Sequence, residues 1–230
     1  MQTKDSLKYE FLSKPDYGFV KVQLNQGQAI DVEASAMASM DTNIVMSTKM
    51  KGGVLGSLKR TLSGESMFIN TFTAQEGPGE ICLAPGAPGD VEHYTLQQGK
   101  CLYLQSSTYL ASSPGIQVES KWGGFKGFFS GTGLFLIKVS GAGDVFFNAY
   151  GGLIEIPVEE NYIIDTGYIV AFEESLQYNV KFLGGLKTSL LGGEGLVCEF
   201  SGKGRLWIQT RKVAPFAWWL WPFRPQKNNR

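Results

Sequence analysis

Strict alternation of apolar and polar positions is the commonest pattern along this chain. Val20, Val22 and Leu24 point one way while Lys21 and Gln23 point the other, and Leu206 and Ile208 alternate with Trp207 and Gln209. A period of two predicts strands with one covered face. The best helix candidate is 53–62, GVLGSLKRTL, where Val54, Leu55, Leu58 and Leu62 recur at helical spacing; it predicts a short helix. Short strands are punctuated by glycine throughout, and the 29 glycines among 230 residues disfavour long helices, because interior glycine costs a helix about 1 kcal/mol.

The pattern repeats. Residues 26–40 (QGQAIDVEASAMASM), 98–113 (QGKCLYLQSSTYLASS) and 160–172 (ENYIIDTGYIVAF) share one order of polar turn, alternating strand, small-residue break and second strand. A glycine doublet follows each, then a second glycine signal at Gly64, Gly131 and Gly193, then a strand. A turn at 77–79, 141–143 or 202–204, ending in Gly79, Gly143 or Gly204, opens a further strand. These glycines are expected as structural turns, where positive φ is needed. The spacings Gly79–Gly143 and Gly143–Gly204 are 64 and 61 residues, so three units of about 7–90, 91–151 and 152–212 are expected to pack around a pseudo-threefold axis as one body. Residues 213–230 form a separate tail.

The segments 64–90 (GESMFINTFTAQEGPGEICLAPGAPGD), 140–151 (SGAGDVFFNAYG) and 163–181 (IIDTGYIVAFEESLQYNVK) resemble, in this order, the hallmarks of the altered-inheritance-of-mitochondria family, formerly domain-of-unknown-function family 124. The resemblance extends over about 7–212. It implies an all-β chain with three double-stranded β-helix units similar to the tryptophan RNA-binding attenuation protein (TRAP-like), frequent homo-oligomers, and in eukaryotic members a link to mitochondrial inner-membrane organisation. It supplies no catalytic residue.

Charge and composition narrow the chemistry. Lys+Arg and Asp+Glu both total 21, so no overall positive field gathers nucleic acid, and none is expected as a partner. The single histidine, His93, expected at a surface or rim, cannot supply a cupin-type metal set and leaves a catalytic triad without support. No metal, cofactor or catalytic residue is expected, and the chain is read as a non-enzyme. Ser66 in GESMF lacks a nucleophile-elbow context, and GGLKTSLLGG at 184–193 breaks the P-loop order at Leu186. Glu65 and Glu194 occupy matching places, with Thr132 in the middle unit, and read as turn-capping side chains. Cys82, Cys101 and Cys198 show no paired spacing, which predicts free, inert thiols in a reducing compartment.

The opening MQTKDSLKYEFLSK has no apolar core of signal-peptide length, and no apolar run reaches membrane-spanning length. A cytoplasmic location is expected, with attachment at the inner face of a membrane left to the tail. The balanced total charge conceals a polarity: residues 211–230 carry +5 and the remainder −5. Phe216, Trp218, Trp219, Leu220, Trp221 and Phe223 lie there with Arg224, Lys227 and Arg230. Aromatics with cations suit the headgroup layer of an anionic membrane, and tryptophan is equally suited to a protein interface. Pro215, Pro222 and Pro225 argue against a long helix. Two functions therefore stay open: an oligomeric scaffold contacting a membrane or an unknown protein through the tail, and a small-ligand-binding module with a pocket on the pseudo-threefold axis.

Overall fold

The computed structural model describes residues 6–48, 69–121, 136–183 and 196–224. Five strands come first: β1 (Lys8–Leu12), β2 (Phe19–Leu24), β3 (Ala29–Glu33), β4 (Met37–Met40) and β5 (Ile44–Thr48). β6 (Ile69–Ala74), β7 (Gly79–Leu83), β8 (Val91–Gln105), β9 (Tyr109–Ser112), β10 (Gln117–Lys121) and β11 (Leu136–Asn148) follow. The last are β12 (Leu153–Val158), β13 (Asn161–Asp165), β14 (Ile169–Glu173), β15 (Gln177–Phe182), β16 (Leu196–Ser201) and β17 (Gly204–Gln209), after which comes one helix, α1 (Val213–Leu220). The chain is all-β. The helix expected at 53–62 lies outside the described residues, as do Gly64, Gly131, Gly193, Glu65, Ser66, Thr132, Glu194 and the segment 184–193.

The strands form antiparallel sheets ordered β1-β2-β7-β4, β12-β17-β14-β8-β11-β9-β3-β6-β5 with β10 also on β11, and β13-β16-β15. Alternation in β2 acts as expected: Val20, Val22 and Leu24 are buried while Lys21 and Gln23 are partly exposed. Each buried aliphatic side chain contributes about 1.5–3 kcal/mol by leaving water. The order strand, break, strand read at 98–113 and 160–172 is observed as β8 and β9 joined by a 3-10 turn at Ser106–Thr108, and β13 and β14 joined by another at Thr166–Tyr168.

Buried side chains gather in three clusters. The first runs from Leu7 to Val91 and borrows Leu110, Ala111 and Phe146. The second takes Leu96 to Ala149 with Val170, Ala171 and Trp207. The third takes Leu136 and most of the apolar residues from Val158 to Leu206. The clusters share strands, so one continuous sheet holds them together.

The glycine turns differ from the sequence expectation in an instructive way. Positive φ falls on the first glycine of each pair, at Gly77, Gly141 and Gly202, and of the second glycines on Gly143 alone. Gly79 and Gly204 begin strands instead, and there the requirement is space: a Cβ on Gly79 would lie 2.8 Å from Asn43 Oδ1, and one on Gly204 would strike Ser175 Oγ. The predicted turn at 141–143 is a bulge. β11 runs unbroken through it, and its register against β8 shifts between Gly141 and Gly143. Gly143 itself has φ 145° with Ser113 Cβ 2.7 Å from where its own Cβ would stand.

Candidate docking site

β17 delivers the chain to α1 through a mounting built from polar side chains. Gln209, nearly buried, accepts the Tyr150 N–H at Oε1 (3.0 Å) and donates from Nε2 to Gly167 O (2.9 Å). Thr210 receives the Gly152 N–H on its hydroxyl at 2.8 Å. Lys212 then crosses to the 3-10 turn at Thr166–Tyr168, where Nζ donates to Asp165 Oδ2 at 3.0 Å and lies 4.8 Å from the Tyr168 ring centre. The other oxygen, Asp165 Oδ1, accepts the Gly167 N–H at 2.8 Å. One carboxylate thus orders the turn and holds the root of the helix.

α1 starts directly after Lys212, which offers no side-chain cap. Pro215 sits within the first turn, where a missing N–H costs nothing because that group has no acceptor inside the helix. The prolines therefore permit a helix of eight residues and end it: Pro222 lies in the 3-10 turn Trp221–Phe223 that follows. Eight residues are too few for a stable isolated helix in water, so the mounting and the aromatic contacts must hold it. Phe216 touches Tyr150 of the body (6.0 Å between ring centres), Trp219 stacks on Phe216 (6.1 Å), and Phe223 packs against Trp219 (5.6 Å). The Arg224 guanidinium lies 3.5 Å over Trp221.

No residue of α1 is buried. Trp218 is 74% exposed, Trp219 63% and Phe223 72%, and Val213, Phe216, Leu220 and Trp221 are exposed as well. The structure brings together Phe216, Trp218, Trp219, Leu220, Trp221, Phe223 and Arg224; Lys227 and Arg230 lie outside the described residues. Among the described residues no helix is long and apolar enough to cross a membrane.

A second cluster joins residues far apart in the sequence. His93, 14% exposed, lies between Tyr9 and Phe146 and its Nε2 is 2.8 Å from Asp144 Oδ1. Asp144 Oδ2 accepts the Leu7 N–H at 2.7 Å, and the Asp144 N–H donates to Ser113 Oγ at 2.9 Å. Burial works to raise the Asp144 carboxyl, but the hydrogen bonds from His93 and the Leu7 N–H outweigh it and hold it below the ordinary value. One carboxylate oxygen thus fastens the N-terminal segment and the other holds His93 of β8. An aspartate inside the apolar run DVFFN was the available clue. The cysteines are free; burial pushes the Cys101 thiol up to about 11, helped by Glu174, and Cys198 up to about 12, which makes both poor nucleophiles. Among the described residues no group of His, Cys, Asp and Glu is arranged to hold a metal ion.

The family described as Mitochondrial biogenesis AIM24 matches residues 9–211. The chain belongs to this family. An uncharacterized protein of Streptococcus pyogenes serotype M6 is 30% identical over 224 residues, spanning 93% of this chain and 89% of that protein. The AIM24 fold is also that of a Streptococcus pyogenes protein solved by X-ray crystallography, with a TM-score of 0.78 at 26% identity over 95% of this chain and 100% of that one. The family match ends at Arg211, just before α1 begins.

Proposed function

We propose that this AIM24-family chain is a non-catalytic scaffold that self-associates and docks through α1 on the interfacial layer of an anionic membrane, at its inner face. The observation that carries the reading is the exposure of every aromatic side chain from Phe216 to Phe223, on α1 and the 3-10 turn that follows it, in a segment whose root is fastened to the body. No acidic residue occurs from Arg211 to the end of the chain, and indole rings with nearby cations favour the headgroup boundary.

Co-sedimentation with vesicles containing anionic lipid tests it. The full chain is expected to pellet with the vesicles, and a chain ending at Arg211 to remain in the supernatant. Replacing Trp218, Trp219 and Trp221 by alanine is expected to weaken binding at every ionic strength, while added salt removes only the part due to Arg224, Lys227 and Arg230. If the full chain ignores vesicles and truncation instead lowers its assembly state, the helix is a protein interface and the membrane reading is wrong.

A further inference from the structure

Arg205, Arg211 and Arg224 are the arginines among the described residues, and they use their donors differently. Arg205 lies 5.1 Å from the ring centres of both Tyr94 and Trp207. Its fork is spent on a carboxylate: Nε donates to Glu173 Oε1 at 2.9 Å, and Nη2 lies 2.9 Å from the same oxygen. Arg211 donates from Nη1 to Thr210 O at 3.3 Å. Arg224 has the ring without the acceptor. Its guanidinium carbon lies 3.5 Å over Trp221, and among the described residues no group accepts its side-chain N–H bonds. No acid follows it in the sequence.

A guanidinium is planar and carries its five donors around the rim, in a fork that fits two oxygens of one phosphate or carboxylate. At 3.5 Å the contact with Trp221 is van der Waals stacking, so the ring sets the plane and occupies no donor. Arg205 shows what completes such an arrangement in this chain, an oxyanion at the rim. For Arg224 no described residue supplies one.

We propose that Arg224, set by Trp221, grips the phosphate of a lipid headgroup when α1 docks, so the site holds a particular chemical group as well as following surface charge. The inference rests on the membrane docking proposed above and names what is held there. The surroundings select lipid phosphate over a carboxylate on a partner protein. Trp218, Trp221 and Phe223 are 74%, 56% and 72% exposed, and a bilayer boundary offers phosphate directly above apolar cover for such rings. The charge agrees, since residues 211–230 carry +5 without one acid.

Binding of the full chain to vesicles of phosphatidylcholine with about one-third phosphatidylglycerol, at fixed ionic strength, separates the fork from the charge. Arg224→Lys keeps the charge and loses the fork, and it is expected to bind about fivefold more weakly than wild type. Arg211→Lys is expected to bind as wild type does. Placed on Trp221→Leu, Arg224→Lys is expected to add little further loss, because the ring no longer sets the side chain. Solid-state NMR reads the contact itself. With arginine labelled at the guanidinium carbon, dephasing by lipid phosphorus is expected at a separation of about 4 Å in wild type and is expected to fall in Arg224→Lys. Wild-type affinity in Arg224→Lys, or the same phosphorus contact with and without Arg224, overturns the phosphate grip and leaves docking by aromatics and surface charge. A wild-type chain that ignores the vesicles overturns the docking and the grip together.

Discussion

Trp207 and the tryptophans of α1 are close neighbours in sequence with opposite surroundings. Trp207, on β17, is 2% exposed and is boxed by Tyr94 and Phe147, each 5.7 Å away edge to face, with Arg205 5.1 Å above its ring. Trp218 and Trp219 belong to a helix, and Trp221 to the 3-10 turn after it, that bury nothing. On the strand the aromatic is held by residues from β8 and β11, so its burial stabilises the fold. On the helix the rings lean mainly on one another, and their apolar area remains available for something outside the chain. The same residue type is thus a structural element before Gln209 and an interaction element after Lys212, and the polar mounting marks the division.

The largest effect expected from this contrast is on stability. Trp207→Ala removes a large buried side chain and is expected to cost about 3–5 kcal/mol in urea unfolding, whereas Trp218→Ala is expected to stay within about 0.5 kcal/mol of wild type. Equal losses from the two would erase the distinction between the segments.

A smaller effect separates two carboxylates that close strands before a turn. Asp165 is paired with Lys212, while Glu33, at the end of β3, has burial alone, which pushes its carboxyl from 4.5 up to about 7. The unfolded chain releases that proton near 4.5 and the folded chain near 7, so the folded state holds more protons in between and stability falls as pH rises through that window. Glu33→Gln is expected to stabilise the protein at pH 8 by about 1–2 kcal/mol, after allowing for solvent screening of a partly exposed group, and by almost nothing at pH 4. Urea melts at the two pH values measure it, and an equal gain at both would remove the charge explanation.

The smallest effect concerns the mounting itself. Lys212→Ala removes a partly exposed ion pair and is expected to lower stability by about 0.5–1 kcal/mol, or about 2 °C in melting temperature. Acrylamide quenching of tryptophan fluorescence in the same variant should change, since the root of α1 is released while Trp207 stays enclosed. Unchanged quenching would mean that Phe216 on Tyr150 holds the helix unaided.

Much of this architecture is legible in single residues. The alternation of β2 announces both the strand and its covered face. β17 shows the limit of that signal: Leu206 and Trp207 point to opposite faces, yet both are buried, because the strand lies between β12 and β14 and serves the third cluster with one face and the second with the other. Alternation reports the period and is silent about what covers the second side. The glycine pairs announced chain irregularity, but a turn and a bulge draw on the same residue, and only the register of β8 on β11 separates them at Gly141 and Gly143. The aromatic and basic composition of the tail identified the candidate site, while its helical form depended on where Pro215 fell within the first turn. The His93–Asp144 pair lies beyond local reading, since the partners are 51 residues apart and Leu7 is a further 86 residues from His93.

The fastening of the Leu7 N–H to Asp144 bears on how the chain is made. Synthesis proceeds from the N-terminus, and domains commonly fold as they emerge. Here the earliest cluster needs Leu110, Ala111 and Phe146 to close, and the residue that leads into its first strand is fastened by a carboxylate that appears 137 residues after its backbone partner. Until then β1, β2 and β7 have apolar faces without their final cover, so a nascent chain that ends before residue 146 is expected to leave that cluster open.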